Sequence, residues 1–388
     1  MKKTISILGS TGSIGLTTLK IINKRKNFLK PYLFSANKNY NLICKQIKYY
    51  KPKYFLVADY LTYQKLKKKY KKGGVKILNK FEDLKIKKKS DITVSSIPGI
   101  KGLYPTIIMT KLSKKILIAN KEAIICGWKL IKKTSINYRT KIIPVDSEHF
   151  SIFKLLEFHK LNEIKKIYIT ASGGPFLNIN INKLKNIKPK DALKHPKWKM
   201  GKKITIDSST LMNKIFELIE AQKLFDIPKE KIDILIHPDS LVHAIAELKN
   251  GLFKFIYYDT SMIIPLANGI FNDKLNIEDF HIKKNSRRFK NLNFKEVNKK
   301  IFPIIKIKNR ITEYPSTPII INAANEVLVS LFLSKKIPYL SISKTIMNIL
   351  SDLNYRKYAI RNPKNIKDII KIDHWARELT KKKLKYYD

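Results

Sequence analysis

Gly9-Ser10-Thr11-Gly12-Ser13-Ile14-Gly15 decides the fold. The stretch follows Thr4 to Leu8, a short apolar run with strand character, and opens Ile14 to Asn23, whose apolar residues recur at helical spacing. Glycine at these positions permits a tight turn and a close approach of backbone N–H groups to a pyrophosphate, with a helix N-terminus behind them. A glycine triplet also serves as a plain βα turn; the strand–loop–helix context is what favours a dinucleotide loop.

Working outward, Tyr32 to Ser35 reads as a second strand, Leu42 to Tyr50 as a helix and Tyr54 to Ala58 as a third strand. Further strands are expected at Ile92 to Ser95, Lys115 to Ala119 and Lys141 to Val145. Strands separated by helices imply parallel βαβ units, hence an N-terminal Rossmann-like doubly wound α/β domain over 1–145. An NAD site usually carries an acid near the second strand to hold the ribose hydroxyls. No Asp or Glu occurs between Leu16 and Ala58, and Ala36-Asn37-Lys38-Asn39 stands in that place. A lysine and amides accept an additional phosphate, so NADPH is expected rather than NADH.

Past residue 145 the pattern changes. Ile164 to Ala171 alternates and runs into a Ser172-Gly173-Gly174-Pro175 turn, Leu211 to Phe225 is helical, and Ile232 to Ile236, Leu241 to Leu248 and Phe253 to Tyr257 look like strands. This reads as a central α+β domain over 146–271. Residues 272–300 are polar, lysine-rich and weakly periodic, as in a linker. Helical periodicity returns through Ile319 to Leu333 and Ile342 to Leu353, giving a small C-terminal helical domain over 301–388.

The formal charge of +49 raises the question of nucleic acid or membrane surfaces. Only 8 of the 79 basic residues are Arg, however, and the lysines are spread along the whole chain among many Ile and Asn. Selection for phosphate grip would favour the bidentate guanidinium. The charge therefore reads as compositional drift, with no nucleic-acid partner, although it still attracts anionic substrates. No apolar run approaches the roughly 18 residues that cross a bilayer, so no membrane partner is expected. Cys44 and Cys126 form no CxxC pair, and a reducing cytoplasm suits them.

The chemistry sits in two stretches, Val145-Asp146-Ser147-Glu148-His149 and Leu211-Met212-Asn213-Lys214-Ile215-Phe216-Glu217. Asp146 and Glu148 are two apart directly after an expected strand; in extended geometry they share a side. Glu217 lies one helical turn from Asn213 and Lys214. Three carboxylates without a cysteine suit a hard divalent ion, Mg²⁺ or Mn²⁺, with Co²⁺ as a further candidate. His149 reads as a supporting histidine rather than a ligand. Ser208-Ser209-Thr210 precedes the Glu217 helix, either to cap it or to hold an anion. Lys214 in its first turn opposes the helix dipole, which favours an anion there. His195-Pro196-Lys197-Trp198-Lys199-Met200-Gly201 is either a surface loop tucked into the core or a lid whose Trp198 and Met200 close over a substrate.

Together these stretches resemble the 1-deoxy-D-xylulose 5-phosphate reductoisomerase family. The likeness extends through Ala119-Asn120-Lys121-Glu122, Thr170 to Phe176, Asp207 to Lys214, Ile236-His237-Pro238 and Asn322-Ala323-Ala324-Asn325-Glu326. It implies an enzyme that rearranges a ketose phosphate to a branched aldehyde phosphate and reduces it with NADPH to 2-C-methyl-D-erythritol 4-phosphate. By resemblance Asp146, Glu148 and Glu217 bind the metal. Thr11, Gly12, Ser13, Ile14, Asn37, Lys38, Asn39, Asn120, Glu122 and Gly201 fall where the family contacts NADPH. Lys121, Ser147, Glu148, Ser172, His195, Ser208, Asn213, Lys214 and Glu217 fall where it contacts substrate. Asn37 stands where the family often has glycine, and Phe150 where it often has a small or polar residue. A homodimer in the bacterial cytoplasm is also implied.

Overall fold

The computed structural model describes residues 2–86, 88–198, 200–280 and 292–384. Of the expected linker, 281–291 lies outside them, as do 385–388 of the expected C-terminal domain. In chain order the strands are β1 (Lys3–Leu8), β2 (Leu29–Ala36), β3 (Tyr54–Val57), β4 (Lys76–Leu78), β5 (Ser90–Ser95), β6 (Ser113–Ile118), β7 (Lys141–Pro144), β8 (Ile164–Ala171), β9 (Ile232–Ile236), β10 (Val242–Leu248) and β11 (Phe253–Tyr257). The helices are α1 (Ser13–Lys24), α2 (Tyr40–Tyr50), α3 (Tyr60–Lys69), α4 (Leu103–Lys111), α5 (Lys121–Asn137), α6 (Ser147–Leu156), α7 (Pro189–Ala192), α8 (Lys202–Ser209), α9 (Met212–Phe225), α10 (Ile263–Phe271), α11 (Thr317–Leu333), α12 (Ser341–Leu350), α13 (Tyr355–Ala359) and α14 (Ile366–Leu384).

The chain divides into two compact units. The first comprises the described parts of Met1–Ala123, Lys129–Phe150 and Ser261–Arg288. Its seven strands pair in the order β4-β3-β2-β1-β5-β6-β7, all parallel. Strands covered on both faces need near-continuous apolar runs; Tyr54, Phe55, Leu56 and Val57 are all buried, as are Ile5, Ile7 and Leu8. The order reverses between β1 and β5, and ligands of such sheets bind at that reversal, outside the carboxyl ends of the strands. The glycine loop begins directly after β1. Helix α10 returns to this unit late in the chain. Lys115 on β6 donates from Nζ to the carbonyls of Gly269 (2.6 Å) and Ile270 (3.0 Å), closing the carbonyl end of α10.

The second unit comprises Ile124–Trp128, Ser151–Thr260 and the described parts of Phe289–Asp388. Its sheet has the order β11-β10-β8-β9. β10 runs antiparallel to both β11 and β8, and β8 runs parallel to β9. The C-terminal helices α11, α12 and α14 pack on one another, and α11 also meets α8. Phe216, Phe302 and Phe332 are among its largest fully buried side chains. The doubly wound domain, the α+β sheet and the C-terminal helices expected from sequence are all present.

Candidate active site

In the first unit the loop geometry explains the glycines. Gly9 has φ +84°, and its N–H donates to the Ser35 carbonyl (3.1 Å) at the end of β2. A Cβ on Gly15 would lie 2.6 Å from Ser10 Cα and closer still to the Gly9 carbonyl. Helix α1 thus starts hard against the loop. Gly12 caps it without a side-chain acceptor, and no acid lies in its first turn, which leaves a positive dipole end facing out. Asn37 and Lys38 are exposed immediately beyond β2, while Asn39 caps α2 by accepting the Leu42 N–H (3.2 Å). Asn120 is buried. Its side chain accepts from the Ala123 N–H (3.0 Å) and donates to the Ile97 and Gly99 carbonyls, so it shapes the turn between β6 and α5.

Beside that turn, the Lys121 ammonium lies 3.0 Å from Asp146 Oδ2, and His149 Nδ1–H donates to Asp146 Oδ1 (3.1 Å). Both Lys121 and His149 are buried. Ser147 Oγ donates to Glu148 Oε2 (2.6 Å). The expectation that Asp146 and Glu148 share a side in extended geometry after a strand is corrected: α6 begins at Ser147, and the Asp146 carbonyl accepts the Phe150 N–H (2.8 Å) as the first helical bond. The two acids stand at a strand end and in a first helical turn. Lys121, Asp146, Ser147, Glu148 and His149 are brought together in this unit.

The second unit carries Glu217 on α9. Its carboxylate is 1% exposed, and accepts from Asn213 Nδ2 and from Lys214 Nζ (2.6 Å). The dipole conflict at Lys214 is therefore answered within the helix, by an acid one turn on. Ser208 and Ser209 do not lead into α9 as first-turn hydroxyls; they close α8. Leu211, in the left-handed region at φ 68°, separates the two helices. Thr210 alone reaches forward, accepting the Met212 N–H (3.3 Å). The isoleucine–threonine run in α8 masks this helix in the sequence, because β-branched residues read as strand.

His195 and Ser172 meet in the same unit, Nε2 to Oγ, at 3.1 Å. His195 Nδ1 accepts the N–H groups of Lys197 (3.2 Å) and Trp198 (2.9 Å). Nδ1 therefore carries no proton, and Nε2–H donates to Ser172. Burial, with the Lys214 ammonium adding to it, holds the imidazole near pH 4, so it is neutral at pH 7. The Trp198 ring meets His243 edge-on (6.2 Å), and His243 stacks on Tyr258 (4.3 Å). A folded-state value below the unfolded one of about 6.5 means that stability is complete above pH 6.5 and is lost as pH falls toward 4. The urea-midpoint advantage of wild type over His195→Gln is thus expected to shrink across that window; an advantage independent of pH would contradict the neutral tautomer.

Two buried groups escaped sequence reading. Glu220, 1% exposed, lies three residues beyond Glu217 on α9, and that spacing was the available signal. Tyr339, buried and bonded to the Ser209 carbonyl (2.6 Å), carried no signal, standing alone in the turn before α12.

A doubly wound parallel sheet that offers glycine backbone at its reversal, and no ribose-binding acid on its second strand, is the frame of an NADP-dependent oxidoreductase. Comparison with known proteins narrows the class. Residues 5–127 match the family model described as 1-deoxy-D-xylulose 5-phosphate reductoisomerase, 142–225 match the model of its C-terminal domain, and 259–379 match a further model, DXP reductoisomerase C-terminal domain. The 1-deoxy-D-xylulose 5-phosphate reductoisomerase of Pelagibacter ubique is 45% identical over 384 residues, covering 97% of this chain and 98% of the relative. That of Thermodesulfovibrio yellowstonii is 38% identical over 99% of this chain and 100% of the relative. A crystal structure of DOX-P reductoisomerase in complex with NADPH, fosmidomycin and magnesium superposes with a TM-score of 0.89 at 29% identity, covering 99% of this chain and 98% of that one. The Zymomonas mobilis enzyme in complex with NADPH gives 0.84 at 29% identity, over 98% of each chain. The chain belongs to the 1-deoxy-D-xylulose 5-phosphate reductoisomerase family.

Proposed function

We propose that this chain converts 1-deoxy-D-xylulose 5-phosphate to 2-C-methyl-D-erythritol 4-phosphate, using NADPH and a divalent metal, in non-mevalonate isoprenoid precursor synthesis. The observation that carries the reading is the start of α9, where buried Glu217 and Lys214 converge with half-buried Asn213. A buried carboxylate and ammonium in contact with each other, beside a half-buried amide, form a ready receptor for a phosphorylated, metal-chelating substrate.

Asp146, Glu148 and Glu217 are the proposed metal ligands, their hard oxygen set fitting Mg²⁺ and equally Mn²⁺ or Co²⁺. When bound, the ion supplies a Lewis acid and a template for the ketone oxygen and its neighbouring hydroxyl. Lys121 is placed to steady negative charge developing on the substrate oxygens, and Asp146 holds its ammonium in position (3.0 Å). Ser172, Ser208, Asn213 and Lys214 take the phosphate end, with neutral His195 fixing the Ser172 hydroxyl. Thr11, Gly12, Ser13 and Ile14 cradle the pyrophosphate. Asn37 and Lys38 meet the 2′-phosphate, Asn39 and Asn120 shape the loops beneath it, and Glu122 and Gly201 complete the cofactor contacts. Trp198 and Met200 exclude water while the aldehyde awaits reduction. By the resemblance read in the sequence, the chain acts as a homodimer in the bacterial cytoplasm. Among the described residues no helix is long and apolar enough to cross a membrane.

NADPH consumption is expected to require 1-deoxy-D-xylulose 5-phosphate, to stop on adding a chelator, and to resume with Mg²⁺. Turnover indifferent to the chelator, or equal use of NADH, would overturn the reading.

A further inference from the structure

We infer that Tyr339 is a positioning residue for the substrate's phosphate, holding the Ser172 and Ser208 segments in fixed relation. The inference rests on the assignment of those serines proposed above. Tyr339 lies between α11 and α12, remote in sequence from both segments, yet it touches each of them. Its hydroxyl donates to the Ser209 carbonyl (2.6 Å), next to Ser208. Its ring packs edge-on against Phe176 (5.3 Å), four residues past Ser172, and against Phe332 of α11 (5.6 Å).

The two segments also approach each other directly. Gly174 has φ +60°, and a Cβ there would lie 3.1 Å from the Ser208 carbonyl oxygen. Such a contact between backbones has no side chain of its own to set its register. The junction after Ser209 is also costly to hold. Leu211 sits in the left-handed region at φ 68°, where a non-glycine residue persists only if its surroundings impose it. The last carbonyls of α8 lack intrahelical partners, and the Tyr339 hydroxyl supplies one of them.

A second strut comes from α11. Asn325, fully buried, donates Nδ2 to Asp207 Oδ1 (2.7 Å), while Lys203 pairs with Oδ2 (2.8 Å). Asp207 itself is 1% exposed and immediately precedes Ser208. A carboxylate so enclosed stays where its donors are. Helix α11 and the turn that follows it therefore fix Ser208 from both neighbours, Asp207 through Asn325 and Ser209 through Tyr339. This gives the Asn322 to Glu326 motif a role in substrate binding exercised from a distance.

The test uses the full-length enzyme, with steady-state kinetics and inorganic phosphate as a competing probe. Tyr339→Phe keeps the ring and removes only the hydroxyl. KM for the sugar phosphate and the inhibition constant of inorganic phosphate are expected to rise together by about tenfold, the scale of one hydrogen bond. The turnover number and NADPH affinity should stay within about twofold of wild type. Asn325→Ala should move the same two constants in the same direction; if it does not fold, Tyr339→Phe decides alone. Unchanged KM and phosphate inhibition in Tyr339→Phe, with or without a lower melting temperature, would overturn the inference, as would a fall confined to turnover. Ser208→Ala separates the two levels. If it raises KM while Tyr339→Phe does not, only the positioning role falls; if it leaves KM unchanged, the phosphate assignment falls with it.

Discussion

Glu217→Gln is expected to lower turnover of 1-deoxy-D-xylulose 5-phosphate by about a thousandfold while leaving NADPH affinity near the wild-type value. The substitution is almost isosteric, so the packing of α9 survives; what changes is charge. Glu217 is 1% exposed and its Oε2 faces the Lys214 ammonium at 2.6 Å. An amide would remove one of the oxygens proposed for the metal and one negative charge beside the buried Lys214 ammonium. Lewis-acid stabilisation is worth several kcal/mol, and each 1.36 kcal/mol is a factor of ten in rate, which sets the scale of the loss. Single-turnover assays with Mg²⁺, beside NADPH titration by fluorescence, separate the two effects. Turnover retained at a tenth of wild type or better would place the cation elsewhere.

Gly15→Ala is expected to weaken NADPH binding by tenfold or more and to lower the melting temperature by several degrees. The added methyl would meet Ser10 Cα at 2.6 Å, a backbone atom that no rotamer change can clear. Helix α1 must lift off the loop. Overpacking of this kind costs about 1–3 kcal/mol, and each kcal/mol moves the melting temperature by about 2–4 °C in a domain of 150–250 residues. The same displacement moves the N–H groups that would face the pyrophosphate, and about 1.4 kcal/mol of lost contact is tenfold in affinity. Gly74 is the control: a Cβ there meets nothing within 4 Å, so Gly74→Ala should bind and melt as wild type does. If both alanine variants behave alike, the close approach at Gly15 has no bearing on the nucleotide.

The parallel sheet was legible because its strands are buried on both faces and so appear as unbroken apolar runs, closed by glycine or polar turns. The carboxylates were legible because acids are scarce in this chain, 30 against 79 basic residues. Other features depend on contacts that no local pattern carries. Helix α6 starts with Ser147, Glu148 and His149, polar residues that look like a strand's tail until the Asp146 carbonyl takes the Phe150 amide. Helix α8 contains Ile204, Thr205 and Ile206, a β-forming run held helical by its packing on α9 and α11. β4 is three residues long, too short for any periodicity. The protonation state of His195 follows from two backbone amides two and three residues ahead, and only coordinates reveal them.

Lys115 and α10 carry a consequence for biosynthesis. The sheet that starts with β1 is completed by a helix ending at Phe271, after all four strands of the other sheet have been made. A ribosome adding about 5–20 residues per second therefore leaves the nascent β6 without its late partner for about 8–30 seconds. The apolar surface awaiting α10 is a natural point for chaperone engagement. A gene fragment stopped before Ser261 should yield an aggregating product rather than a free-standing nucleotide module.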